Sequence, residues 1–137
     1  FRERASTSNT LGFRLEGLTV ADLENGNGSS NGVDLDAITV VMSDKETLGK
    51  IGTEEGIVEQ LRSFVRGDTR LKELYLQRLR RVHSTLTTCS VFAEHQFINS
   101  SLLFVHDAAR QGCGVWMIDF SKARPAKAPL THTAAWE

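Results

Sequence analysis

Residues 100–120, SSLLFVHDAARQGCGVWMIDF, constrain the fold more than any other stretch of the chain. Two apolar runs, SSLLFVHD and GVWMIDF, flank a short polar link containing Gly112 and Gly114. Each run has the length of a strand, and the link has the length of a hairpin loop. Neither run alternates: Leu102, Leu103, Phe104 and Val105 are consecutive, as are Val115, Trp116, Met117 and Ile118. Strands without alternation are normally buried on both faces, so a fully buried core hairpin is expected. The second run ends in Asp119, a carboxylate directly after bulky apolar side chains. Burying a charge there is costly unless a cation pairs with it.

Asp119 is therefore the first candidate for chemistry. A carboxylate at a strand end suits Mg²⁺, which takes oxygen ligands and bridges protein to phosphate. Ser101 starts the partner strand and offers a hydroxyl, so Ser101 and Asp119 are expected to approach one ion. Lys122 and Arg124 lie just beyond and can neutralise phosphate. The competing reading is an Asp that caps a turn or pairs with a lysine. Arg14 is the second candidate, because a guanidinium presents a planar donor fork to phosphate. Its plain alternative is a pair with Glu16. His95, His106 and His132 have no nucleophile or metal partner at usable spacing and read as structural or exposed. The chain has neither a G-x-x-x-x-G-K phosphate loop nor a G-x-S-x-G nucleophile turn.

The remaining pattern is that of an α+β domain. Residues 10–18, TLGFRLEGL, alternate like a half-exposed strand. Residues 24–32, ENGNGSSNG, read as a flexible surface insertion. Residues 33–42 suit a strand, and residues 43–52 form a polar connector carrying Lys45 and Lys50. Thr53 should cap a helix with Ile57, Val58, Leu61, Phe64 and Val65 on one face, stopped by Gly67. Asp68 or Thr69 should cap a second, whose stripe is Leu71, Leu74, Tyr75, Leu79, Val82 and Leu86. The basic residues of that helix, Lys72, Arg78, Arg80 and Arg81, form either a solvated face or a wall toward an anionic ligand. A short helix is expected near Ser90, and the segment after Phe120, with two prolines, should run extended over the surface.

Totals limit the function. A chain of 137 residues fits one domain or a piece of a larger one. A net charge of −1 argues against bulk nucleic-acid binding. No stretch is long and apolar enough for a membrane span. The start, FRERASTSN, has neither an initiator Met nor a signal-peptide pattern, so the chain is expected to begin inside a longer protein. Cys89 and Cys113 read as two reduced thiols.

Three ordered blocks now carry more than any single one: residues 10–18 (TLGFRLEGL), 100–107 (SSLLFVHD) and 115–122 (VWMIDFSK). Together they resemble the inositol polyphosphate kinase family, in its inositol-1,4,5-trisphosphate 3-kinase branch. FVRGD followed by LYLQRLRRVHSTL, and the closing THTAAWE, resemble the same branch. The resemblance implies a partial kinase-like C-terminal lobe over residues 1–137, with an antiparallel hairpin packed with helices. It implies transfer of a phosphoryl group from ATP to an inositol phosphate, with Mg²⁺, in the cytoplasm. It assigns Asp119 to the metal, Ser101 beside it, and Arg14 and Lys50 to inositol phosphate, while Lys122, just beyond Asp119, is expected to meet the nucleotide phosphates. No catalytic side chain falls within this chain. The family signature P-x-x-x-D-x-K-x-G is absent from it and would lie upstream, so the isolated chain is expected to be inactive. Lys50 stands about one place off the family's lysine, Ser121 replaces a frequent Gly, and Ala135 a frequent Pro. Calmodulin, as a partner of a region before Phe1, stays open. The alternative function is a non-catalytic module that holds an inositol phosphate or a protein.

Overall fold

The computed structural model describes residues 7–23, 38–43, 45–107, 110 and 112–127. The expected insertion at 24–32, His132 and the closing THTAAWE lie outside them. The fold is mixed α+β, built from helices and three two-stranded antiparallel sheets among the described residues. It divides into two compact units, Phe1–Gly67 and Asp68–Glu137.

In the first unit, α1 (Ser8–Leu11) is followed by β1 (Leu18–Leu23), β2 (Ile38–Ser43), α2 (Lys45–Leu48) and α3 (Glu54–Phe64). The strand expected over 10–18 is displaced. Leu11 ends α1, and Gly12 caps it in the left-handed region at φ 75°, its N–H donating to the Ser8 carbonyl. Thr7, fully buried, donates its hydroxyl to the Phe13 carbonyl at 2.8 Å. The alternation of Leu11, Phe13 and Leu15 is thus cut at Gly12. Pairing starts only at Leu18, because its partner strand β2 ends opposite it at Ser43. A period-two pattern gives a strand two faces, but only a ladder partner makes it a strand.

α3 forms as its sequence dictates. Thr53 accepts from the Gly56 N–H, and Glu54 and Glu55 sit in the first turn, where carboxylates suit the helix dipole. Leu48 and Ile57 are the buried apolar side chains described in this unit.

The second unit opens with α4 (Thr69–Thr88), capped by Asp68, whose carboxylate accepts from the Leu71 N–H at 3.0 Å. α5 (Ser90–Glu94), β3 (His95–Phe97), β4 (Ser101–His106), β5 (Cys113–Ile118) and β6 (Ala123–Pro125) follow. The segment after Phe120 is not only a surface strip: Ala123–Pro125 pairs with His95–Phe97. Pro125 is tolerated because it closes the last position of a two-stranded edge.

The β4–β5 hairpin forms in the expected place, but it is not buried on both faces. Pairing of Phe104 with Val115 and Leu103 with Trp116 sorts the side chains into two sets. Phe104 and His106 meet Tyr75 of α4, with ring centroids 5.5 and 6.0 Å away. Leu103, Val105 and Trp116, on the other face, are 43–54% exposed. The indole of Trp116 lies across Gly114, filling the place a Cβ would take. Helix packing therefore covers part of one face only, for Leu102, on the Phe104 side, is 44% exposed as well. The core of this unit lies between α4 and the hairpin, where Leu71 and Tyr75 are buried. Lys72, Arg78, Arg80 and Arg81 are all exposed and, at about 100° per residue, fall on different sides of α4. They are solvated rather than gathered into one wall.

Candidate phosphate and metal site

Asp119 leaves β5 in the left-handed region, at φ 66° and ψ 59°. Few residues other than Gly adopt that conformation cheaply, and Asp is among those that do. The chain then enters a 3₁₀ turn, Phe120–Lys122, closed by the Ala123 N–H on the Phe120 carbonyl. Phe120 is held edge-on by Phe97 at 5.9 Å, and Phe97 stacks on Phe92 at 4.6 Å. The Asp119 carbonyl accepts from the Ser100 hydroxyl at 3.2 Å. Backbone and neighbours thus fix the residue while its side chain is exposed, makes no cap to the turn, and enters no ion pair among the described residues.

Ser101 pairs with Ile118, so its hydroxyl starts one register position from Asp119. Lys122 lies exposed in the turn itself. The three residues share one end of the hairpin. The donors are a carboxylate and a hydroxyl, the hard oxygens that Mg²⁺ takes. Among the described residues no group of three or more His, Cys, Asp or Glu gathers into a metal site. One carboxylate and one hydroxyl are donors of the kind that Mg²⁺ takes together with other ligands, not a closed protein cage.

Arg14 lies in the first unit. Its Nε donates to Glu16 Oε1 at 2.6 Å, the plain partner the sequence offers. Lys45 pairs with the other oxygen of the same carboxylate. Burial alone would raise the Glu16 pKa, but hydrogen bonds from Lys45 and Arg14, with their charges, outweigh it and hold the carboxyl below the usual 4.5. Lys50 is elsewhere engaged: it pairs with Glu46 at 3.0 Å, both side chains more than two-thirds exposed. A groove along α3, lined by Glu54, Glu55, Val58, Glu59 and Arg62, carries mostly carboxylates and has the wrong sign for phosphate.

The lowered Glu16 pKa has a definite sign. Its stabilising contribution is complete above the unfolded value and is lost as pH falls through the lower folded one. Glu16→Gln should therefore flatten the acid limb of thermal stability between about pH 5 and pH 3, measured as Tm against pH. An unchanged acid limb would contradict the arrangement.

Two features escaped the sequence. Lys45 joins Arg14 through a carboxylate only once the hairpin of β1 and β2 has formed. Tyr75 and His106 are joined at 2.9 Å between the Tyr oxygen and Nδ1, across a sequence separation of 31. Neither carries a local signal. Cys89 and Cys113 are half-buried and unbridged.

A model of the inositol polyphosphate kinase family matches residues 1–137. The chain belongs to the inositol polyphosphate kinase family. It is 37% identical to human inositol-trisphosphate 3-kinase A over its whole length, and 34% identical to human inositol-trisphosphate 3-kinase B. An inositol-trisphosphate 3-kinase homolog of Caenorhabditis elegans is 27% identical over 99% of the chain. The chain spans 26%, 13% and 24% of those three proteins. No helix among the described residues is long and apolar enough to cross a membrane. As a family member, the chain presents Asp119 at the end of β5 and Arg14 ahead of β1, both in the sequence blocks that carry the resemblance.

Proposed function

We propose that this chain supplies the cation-holding hairpin and part of the inositol phosphate pocket of an enzyme that transfers a phosphoryl group from ATP to a hydroxyl of an inositol phosphate, of the inositol 1,4,5-trisphosphate 3-kinase type. The observation that carries the reading is the family match across the entire chain. The exposed, conformationally fixed Asp119 supports it further.

Phosphoryl transfer needs positioning and charge stabilisation more than covalent chemistry. Asp119 and Ser101 would hold Mg²⁺, which when bound neutralises phosphate charge. Lys122 adds a cation for the nucleotide phosphates at the same end of the hairpin. Arg14 takes a phosphate of the inositol substrate through its donor fork. The catalytic Asp of the family signature is not among these residues, so the isolated chain should not turn over.

The test uses the intact protein, with Mg²⁺-ATP and inositol 1,4,5-trisphosphate and product resolved by anion-exchange chromatography. A tetrakisphosphate product is expected. Tight substrate binding with no product would favour the non-catalytic module instead.

A further inference from the structure

We infer that Lys45, not Lys50, is the second cation of the Arg14 phosphate site, and that Glu16 holds the two cations together until a phosphate monoester of the inositol substrate meets them. The inference rests on the reading that Arg14 contacts that substrate, and extends it to a residue that the sequence blocks do not include.

The geometry is that of two cations sharing one carboxylate. Arg14 Nε uses Glu16 Oε1, and Lys45 Nζ uses Oε2. Without the carboxylate between them, the two positive groups would repel each other. With it, they are held side by side, and the trio carries a net charge of +1. Neither cation is exhausted. Arg14 has committed Nε, and its terminal nitrogens form no ion pair among the described residues. Lys45 has three donors, of which Glu16 accepts one. Both side chains reach solvent, Arg14 at 30% and Lys45 at 59% exposure.

This arrangement favours a dianionic phosphate over a carboxylate or a neutral ligand. A phosphate offers enough oxygens to take Arg14 and Lys45 at once, while one Glu16 oxygen still anchors each cation's orientation. Lys50 shares no carboxylate with Arg14. It belongs to an i, i+4 surface pair with Glu46, of the kind that contributes little.

The test is calorimetric binding of inositol 1,4,5-trisphosphate to the intact protein and to its Arg14→Ala, Lys45→Ala, Lys45→Arg and Lys50→Ala variants. Losing one charge-assisted contact to phosphate weakens binding about 10-fold or more. Lys45→Ala should show such a loss, Lys45→Arg should recover most of it, and Lys50→Ala should stay within about twofold. Lys45→Ala should also make binding less sensitive to salt. If Arg14→Ala weakens binding and Lys45→Ala does not, the inference is overturned while the Arg14 assignment stands. A loss that Lys45→Arg leaves unrepaired overturns it too. If Arg14→Ala itself binds normally, the underlying reading fails.

Discussion

Asp119→Asn should leave the intact protein folded and lower its phosphoryl-transfer rate by at least about 10²–10³-fold. The two halves of that expectation come from separate observations. The fold should survive because the carboxylate has no structural work here: it caps nothing and pairs with no cation among the described residues. Its backbone does have a demand, a φ of 66°, and Asn meets that demand as well as Asp does. Asn also keeps the shape of the side chain. What it removes is the charge on which the proposed cation site depends. Asp119→Ala separates the effects, because Ala in the left-handed region costs about 1–2 kcal/mol of stability in addition. Near-normal turnover of Asp119→Asn, at unchanged Tm, would remove the cation assignment.

Much of the fold was legible where its causes are local. Thr53, Asp68 and Gly67 mark helix ends through bonds to residues three to five positions away, so sequence spacing suffices to find them. The hairpin was legible for the same reason. What it buries was not. Apolar runs on both strands suggested two covered faces, yet α4 supplies a cover for only one, leaving Leu103, Val105 and Trp116 exposed. The strand expected at 10–18 failed because alternation cannot report the partner, and β2 stops at Ser43. Ala123–Pro125 is extended and exposed, as its sequence suggests, but its pairing is not legible there, because its partner, His95–Phe97, lies far back in the chain.

The candidate site divides along the same line. Asp119, Ser101 and Lys122 fall at one end of the hairpin because the chain returns to its start, with Ser101 opposite Ile118. Glu16 is two residues from Arg14 and was visible as its neighbour. Lys45 is remote in sequence, and only the pairing of β1 with β2 brings it to Glu16. Of the two lysines in the polar connector, the resemblance points to Lys50, and nothing in the sequence assigns Lys45 a role. Their difference is one of partner, a shared carboxylate against an exposed neighbour on the same short turn.

Tyr75→Ala should destabilise the second unit by about 3–5 kcal/mol, against a typical domain stability of about 5–15 kcal/mol. Tyr75 is 5% exposed and lies over both Phe104 and His106, so its ring joins α4 to β4. Removing it leaves a cavity bounded by a helix and a sheet, neither of which can collapse freely. The hydroxyl is a smaller part of the effect. Burial, and after it the nearby Cys113, push the phenol's pKa up, so the group stays protonated at physiological pH. Tyr75→Phe then loses one hydrogen bond at His106 and should cost about 1 kcal/mol. Denaturant melts of the two variants measure the difference. Hydrogen exchange locates it, since amides of Phe104 and Val115 should lose protection in Tyr75→Ala and keep most of it in Tyr75→Phe. The same loosening should reach Asp119, because β5 ends there, and should lower the turnover proposed for the intact protein. Equal losses from the Ala and Phe variants would mean that the hydrogen bond, not the ring, fastens the helix to the hairpin.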